Sequence, residues 1–303
     1  MGDVLAGFHT VWEFDTDSVL IRFERGIRTP KLFQVLGERR IPYEALASVE
    51  LTHGRRGTVA LRAVPRPGAD PLMDVADGQL KPGCDPYRLV LPAERETLAE
   101  YYADAMRSAL GEHAAEPAER YLVTAPPPPM SFKAYDGKAH FNGSAVSFRW
   151  FWTGASSAKW KAGDQSFTVQ ELQSVDWRSP EVLHGHLRLV RRAAPDAAGC
   201  AAHDPRPGAA DQDPAAVVFG LGYGLVHESL PFAASVLEAV RAAEPEQGRL
   251  VPAPRTPSAL ADKARPDPAD IADRIRHLGA LHEAGLLTDD EFSSKKAELL
   301  AEL

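Results

Sequence analysis

A glycine-rich stretch near residue 220 has the residue types of a phosphate-binding loop. It reads FGLGYGLVHESLPF (219–232), which is a strand, then glycines, then a helix. Glycines allow backbone amides to approach an anion at a helix N-terminus. The spacing is GxGxG rather than GxGxxG, however, and no βαβ unit comes after it. The pattern therefore favours an ordinary turn between the last strand of a domain and its closing helix.

Basic side chains concentrate in residues 22–40 and in a nearby turn, where they could form a patch for anionic headgroups. Residues 22–40 contain six cationic side chains against the carboxylates of Glu24 and Glu38. A solvated basic edge is the alternative interpretation of the same charges. The candidate anion patch consists of Arg22, Arg25, Arg28, Lys31, Arg39, Arg40, Arg55 and Arg56.

The segment SFRWFW (147–152) and Trp160 predict an aromatic-rich strand pair. Aromatic rings with basic neighbours, here Arg149, Lys159 and Lys161, could stack on nucleic-acid bases. In a small sheet, aromatic residues more often form the core or cross-strand pairs. We therefore expect a structural role, and a peptide groove is preferred to RNA if the rings do bind a ligand.

Two histidines in HGH (184–186) are expected on the same face of a strand, where they could begin a metal site. Zinc needs further ligands. These would have to come from His203, Asp204 or His227, which no spacing singles out. We therefore predict a solvated hairpin and no metal site.

Two long loops, 65–86 and 193–214, are rich in Pro, Gly and Asp, and we expect both to be mobile. Each holds one cysteine, Cys84 or Cys200, and the chain has no CxxC pair. Both cysteines are therefore expected to remain free thiols. No nucleophile elbow, HExxH motif or catalytic triad is recognisable, so we predict that the protein is not an enzyme and binds no cofactor.

Charge and hydropathy restrict the class of protein further. The formal net charge of -8 at pH 7 argues against general nucleic-acid binding, which needs a broad basic face. No apolar run approaches the roughly 20 residues of a transmembrane helix, and the N-terminus lacks the features of a Sec signal. The cytoplasm is the expected location.

The elements that must position these residues recur along the chain at an offset of about 127 residues. RRIPYEALASVEL (39–51) matches QSFTVQELQSVDW (165–177). GTVALRAV (57–64) likewise matches GHLRLVRR (185–192). A shared offset over separate segments indicates tandem homologous domains.

Each copy contains short β-rich segments with alternating polarity and ends in one amphipathic helix. In the first copy, Leu98, Tyr101, Met106 and Leu110 can share one face of that helix. A bent antiparallel meander closed by a C-terminal helix resembles the pleckstrin-homology-like fold. The predicted fold is therefore α+β, with two such domains at 1–115 and 116–243 and a proline spacer at 124–130.

The C-terminal part is predicted to be a linker followed by a helical hairpin. Residues 244–267 lack an apolar period and are expected to be flexible. Asp267 and Pro268 have the residue types of an N-cap and a first helical position, so residues 268–303 are predicted to be helical.

A hairpin of about 35 residues rarely buries enough apolar surface to be stable alone. Its apolar stripe must therefore contact the rest of the chain, a second copy or another protein. The predicted partner interface consists of Ile271, Ile275, Leu278, Leu281, Leu286, Leu287, Phe292, Leu299 and Leu300.

The stretch LGALHEAGLLTDDEFSSKKAELL (278–300) resembles the SHOCT (short C-terminal) domain. The repeats, over roughly residues 8–243, resemble an actinobacterial family, the domain of unknown function numbered four-four-two-nine. The resemblance implies oligomerisation or partner contacts for the tail. The family has no established activity that the resemblance could transfer to this chain. The residues that fit the SHOCT pattern are Gly285, Leu286, Thr288, Glu291, Phe292, Lys295, Lys296 and Leu299.

Together these features predict a non-enzymatic cytoplasmic scaffold or adaptor. Two recognition domains would bind a partner, and the tail would form a homo-oligomer or dock onto another protein. One alternative is a peripheral membrane protein or a protein that binds an anionic ligand. Another is an enzyme of an unrecognised type.

Overall fold

The structure, a computed structural model, describes residues 3–54, 57–192 and 209–243. These ranges comprise the two repeats. The predicted linker and helical hairpin, residues 244–303, lie outside the described residues, and so does the whole predicted partner interface.

The first repeat contains two antiparallel sheets and a closing helix. Its elements are β1 (Asp3–Ala6), β2 (Thr10–Phe14), β3 (Ser18–Phe23), α1 (Lys31–Leu36), β4 (Glu38–Pro42), β5 (Leu46–His53), β6 (Thr58–Pro65), α2 (Pro71–Ala76), β7 (Arg88–Pro92) and α3 (Glu96–Ser108). One sheet has the order β1-β2-β3-β4 and the other the order β5-β6-β7. Strands that are consecutive in sequence are therefore neighbours in each sheet.

The second repeat has the same order of strands and the same closing helix. Its elements are β8 (Met130–Lys133), β9 (Gly137–Phe141), β10 (Ala145–Trp150), α4 (Ser157–Ala162), β11 (Gln165–Thr168), β12 (Leu172–Arg178), β13 (His186–Arg191), β14 (Ala216–Val218) and α5 (Val226–Ala242). Its sheets have the orders β8-β9-β10-β11 and β12-β13-β14. The predicted α+β fold with tandem repeats is confirmed, whereas its assignment to the pleckstrin-homology-like folds stays a prediction.

Alternating polarity explains why these segments form strands with one buried face. In β10, the side chains of Val146, Phe148 and Trp150 are buried, while Ser147 and Arg149 between them are half-exposed. Successive side chains of a strand point to opposite faces of the sheet, so this alternation places one face of β10 in the core.

The closing helix α3 buries a different face from the one predicted. Leu98 and Tyr101 are 41% and 62% exposed. Ala99, Tyr102 and Ala103 are buried instead, and so is Met106, as predicted. Leu98 and Tyr101 are large and apolar, so the sequence predicts that they are buried. In the structure, however, the position of the helix on β5 places two small alanines against the sheet.

The prediction that loop 65–86 is mobile is wrong, because this loop contains helix α2 and joins the two repeats. The side chain of Asp70 accepts a hydrogen bond from the backbone N–H of Leu72, and Pro71 is the first helical residue. Leu72, Val75 and Ala76 belong to the same buried cluster as the core of the second repeat. Loop 193–214 lies outside the described residues up to residue 208.

Helix α5 is covered on two sides, and α3 on only one. The inner face of α5, with Phe232 and Val236, packs on the sheets of the second repeat, and its other side contacts α1 and α2. Leu230 and Ala234 are therefore fully buried as well. Both repeats thus belong to one structural unit, which spans residues 1–245.

Polar side chains also join the repeats. The amide of Gln79 donates to the carbonyl of Trp177 at 3.1 Å and accepts from the backbone N–H of Ser179 at 2.9 Å. At the end of α5, Arg241 donates to the carbonyls of Gly68 and Ala118 at 3.1 and 3.0 Å. Such directional contacts fix the orientation of one repeat on the other.

We predict that Leu72→Ala destabilises both repeats together. Leu72 is fully buried, and removal of a buried leucine costs about 2–5 kcal/mol because a cavity remains. Urea unfolding followed by tryptophan fluorescence and by far-UV circular dichroism should give one earlier transition with the same midpoint by both probes.

Leu98→Ala on the exposed side of α3 is the matched control and should change the stability by less than about 0.5 kcal/mol. Equal losses in the two variants would contradict a role for Leu72 in a shared core.

Candidate functional site

A groove of about 630 Å³ lies where the two repeats meet within the unit of residues 1–245. The first repeat contributes Pro30, Lys31 and Leu32 beside α1, and Leu80, Lys81 and Cys84 after α2. The second contributes residues 180–185 before β13 and residues 219–222 and 225–227 at the start of α5. A groove lined mainly by apolar groups with a few polar ones is a usual binding site.

The rim of the groove exposes large apolar side chains to water. Leu221 is 101% exposed, and Leu183, in the segment before β13, is 76% exposed. Most large apolar side chains in the described ranges are covered, so two neighbouring exposed leucines at the edge of a groove indicate a contact surface.

The charges at the groove are mostly positive. Lys31 makes no ion pair within the described part of the chain, whereas Lys81 pairs with Glu181 at 2.8 Å. Burial lowers the pKa of His227 below its ordinary value of 6.5, Glu228 opposes that shift, and Lys31 adds to it. The lowered pKa favours the neutral form of the His227 ring, so Lys31 supplies the positive charge at this end of the groove.

The glycine-rich stretch lies in the turn that joins β14 to α5, which agrees with the interpretation favoured by its spacing. Gly222 and Gly224 have φ angles of 80° and 65°, a conformation that glycine adopts without strain. A Cβ at Gly224 would also lie 2.1 Å from the ring of Phe219. Gly222 therefore lines the groove, and Gly224 leaves room for the ring of Phe219 in its wall.

Arg39 is wrongly included in the candidate anion patch. Arg39 is 6% exposed and donates to Asp70 at 2.8 Å. Its position in β4 next to α2 makes it an internal residue, a feature that charge counting in the sequence could not detect.

Two more members of the patch are exposed but neutralised by carboxylates. Arg22 pairs with Glu13 at 2.7 Å, and Arg40 pairs with Asp15 at 2.7 Å. Arg55 and Arg56 lie outside the described residues. The exposed cations that remain are Arg25, Arg28 and Lys31, in the loop before α1 and at its first residue.

The aromatic segment divides between core and surface. Phe148 and Trp150 are buried, as expected of a strand, whereas Trp152 and Trp160 are 43% and 38% exposed and pack edge to face at 4.9 Å. A basic platform is contradicted at one position, because Lys159 is fully buried.

Lys159 instead forms a buried ion pair with Asp136 and lies over the ring of Trp150. Burial lowers the pKa of Lys159, and Asp136 opposes that shift. A buried charge is tolerated only where it is paired and hydrogen-bonded, so Lys159 has a structural role here.

The two histidines of HGH do not share a strand face. His184 lies in the turn before β13 with a φ angle of 61°, and His186 is the first residue of β13. The ring of His186 contacts Asp176 and the carbonyl of His184. Within the described residues, no three His, Cys, Asp or Glu side chains come together in a way that could hold a metal ion.

Cys84 is a free thiol at the groove, and burial raises its pKa. Cys200 lies outside the described residues. Across the ranges that the structure describes, no helix is both long and apolar enough to cross a membrane.

The fold and the groove define a tandem α+β repeat protein in which both repeats line one groove. A family model for a domain of unknown function, DUF4429, matches residues 12–107 and 139–237, one segment in each repeat. The chain therefore belongs to the DUF4429 family. A model for the short C-terminal domain (SHOCT) matches residues 273–300, so both predicted resemblances are confirmed. A search of curated proteins finds no match.

We predict that the groove binds apolar anions. The probe is anilinonaphthalene sulfonate, whose aromatic rings suit the apolar lining and whose sulfonate suits Lys31. Fluorescence titration should give saturable binding that Lys31→Glu weakens about five-fold, which corresponds to roughly 1 kcal/mol for a charge pair near the surface.

Lys161→Glu is the matched control, because Lys161 is an exposed lysine of α4 outside the groove lining. The groove is not the binding site if both substitutions weaken dye binding equally or if neither weakens it.

Proposed function

We propose that this protein is a non-enzymatic cytoplasmic scaffold or adaptor. Its two repeats act as one recognition body, and its C-terminal segment associates with another copy or with a partner protein. The observation that carries the proposal is the insertion of α2 into the core of the second repeat. The two repeats also provide the walls of one groove.

The groove supports a binding role because the packing of the two repeats holds its walls in place. Preformed sites bind with less loss of conformational entropy than sites that must order on binding. Its apolar rim at Leu183 and Leu221 and the cation of Lys31 suit a peptide segment that carries apolar side chains and a carboxylate. Specificity would come from the charge, and binding energy from the leucines.

The SHOCT match and the apolar stripe support an associating tail. Burial of one leucine or phenylalanine contributes roughly 1.5–3 kcal/mol. Three or four such residues from each partner could therefore outweigh a cost of association of about 4–15 kcal/mol.

We predict that Phe292→Asp converts an oligomer to a monomer without unfolding the repeats, because it introduces a charge into the apolar stripe. Size-exclusion chromatography with light scattering at tens of micromolar measures the mass, and thermal unfolding monitors the repeats. Ser294→Asp adds the same charge outside the stripe and should leave the mass unchanged.

A monomeric wild-type protein would exclude self-association. If Phe292→Asp then changed only the thermal stability, the tail would act as an internal brace.

A second candidate function is peripheral membrane binding, which the loop before α1 favours. Ile27 is 106% exposed and lies between the exposed Arg25 and Arg28. Gln34 holds this loop against α1 through hydrogen bonds to the carbonyls of Gly26 and Thr29 at 3.0 and 2.9 Å. An apolar tip between cations suits an anionic bilayer surface.

If this function is present, Ile27→Asp should abolish sedimentation with liposomes that contain anionic lipid, and salt should weaken sedimentation of the wild type. Val35→Asp, at a residue of α1 that is 47% exposed, is the matched control. Equal sedimentation of the wild type with neutral and anionic liposomes would rule out the membrane candidate.

A further inference from the structure

A second cavity, of about 460 Å³, lies on the first repeat between β2 and α3, away from the inter-repeat groove. Four aromatic residues line it: Phe14, Tyr43, Tyr101 and Tyr102. The carboxylates of Asp3 and Asp15 complete its wall, and among the described residues no lysine, arginine or histidine lines it. We call this cavity the tyrosine pocket.

The aromatic rings of the tyrosine pocket are held at fixed angles to one another. Phe14 and Tyr102 stack at 4.2 Å with 5° between their planes, and Tyr101 meets Tyr102 edge-on at 5.2 Å. The Tyr43 hydroxyl donates to the carbonyl of Asp15 at 3.1 Å. Tyr43 and Tyr102 are almost fully buried, while Tyr101 is 62% exposed, so Tyr101 is the outer wall of the pocket.

The carboxylates around this pocket make its electrostatic potential negative. Burial and the nearby carboxylates of Asp15 and Asp17 raise the pKa of Tyr43 to about 12. Burial, together with Asp3 and Tyr101, also raises the pKa of Tyr102. Arg40 occupies one oxygen of Asp15 from outside the pocket, whereas Asp3 has no ion pair within the described residues.

The second repeat has neither the hydroxyls nor the carboxylates of this arrangement. The positions that correspond to Asp3, Asp15, Tyr43, Tyr101 and Tyr102 in the order of elements are Met130, Asn142, Val169, Pro231 and Phe232. The ring pair itself is retained as Phe141 and Phe232, and both are fully buried. Packing of the closing helix therefore requires the ring pair but neither the hydroxyls nor the carboxylates. Those groups are extra to the fold in the first repeat.

We propose that the tyrosine pocket binds one alkylammonium cation, such as the side chain of lysine, a methylated lysine or a free quaternary amine. Aromatic faces attract a cation through the negative face of the ring, and carboxylates at the rim add charge attraction. A neutral apolar group would gain the contact with the rings but would lose both electrostatic contributions.

The test uses the full-length protein with fluorine incorporated into its seven tyrosines. Fluorine NMR then follows a titration with choline and, separately, with 3,3-dimethylbutanol, its uncharged carbon isostere. Single Tyr→Phe variants assign the resonances. Choline should shift the resonances of Tyr101 and Tyr102 with saturation, and the isostere should bind about ten-fold more weakly, because it lacks the charge that both the rings and the carboxylates attract.

Two substitutions locate the site. Tyr101→Ala and Asp3→Asn should each lower the affinity for choline about two- to five-fold, as expected when one cation–π or charge contact is lost at an exposed site. Tyr135→Ala is the control, since Tyr135 is 52% exposed on the second repeat. It should leave the affinity unchanged.

A parallel titration with acetyl-trimethyllysine amide distinguishes a protein side chain from a free amine by which ligand binds more tightly. The proposal is overturned if choline gives no saturable shift, if choline and the isostere bind equally, or if Tyr135→Ala weakens binding as much as Tyr101→Ala.

Discussion

The joining of the two repeats depends on the hydrogen bonds and the ion pair made by one buried carboxylate, that of Asp70. It caps α2 at the N–H of Leu72, accepts from Arg39 of β4 at 2.8 Å, and accepts from the hydroxyl of Tyr87 at 2.7 Å. Arg39 also contacts the carbonyl of Thr124, where the chain leaves the first repeat. A carboxylate without exposure to water is tolerable only if its oxygens are paired in this way. The position of α2 is therefore narrowly fixed.

The contact between α2 and α5 distinguishes the second closing helix from the first. The inner faces of the two closing helices remain equivalent, since Tyr102 and Phe232 meet the same kind of ring from β2 and β9. On the outer side, α3 carries Glu100, which is exposed, whereas α5 carries Leu230, which is fully buried. One outer face contacts water and the other contacts protein.

The sequence predicts strands and the repeat well because both arise from local periodicity. It does not predict α2, although Asp70 and Pro71 have the same residue types that predict a helix start at Asp267 and Pro268. The many Pro, Gly and Asp residues around α2 mask that signal. The inter-repeat groove is also beyond sequence reasoning. Its lining comes from separate segments that have no common motif, such as residues 30–32 and 219–222.

The sequence by itself determined the α+β class, the tandem repeat and the family, because alternation of polarity and a constant offset are properties of the chain alone. Only the tertiary structure decided which charges are exposed. Arg39 and Arg40 are adjacent in the sequence, yet one is buried against Asp70 and the other reaches solvent beside Asp15. Likewise, Lys159 is buried and Lys161 is exposed. A charge can be buried only where the fold places a partner from a distant segment beside it, and a local sequence pattern contains no information about that contact.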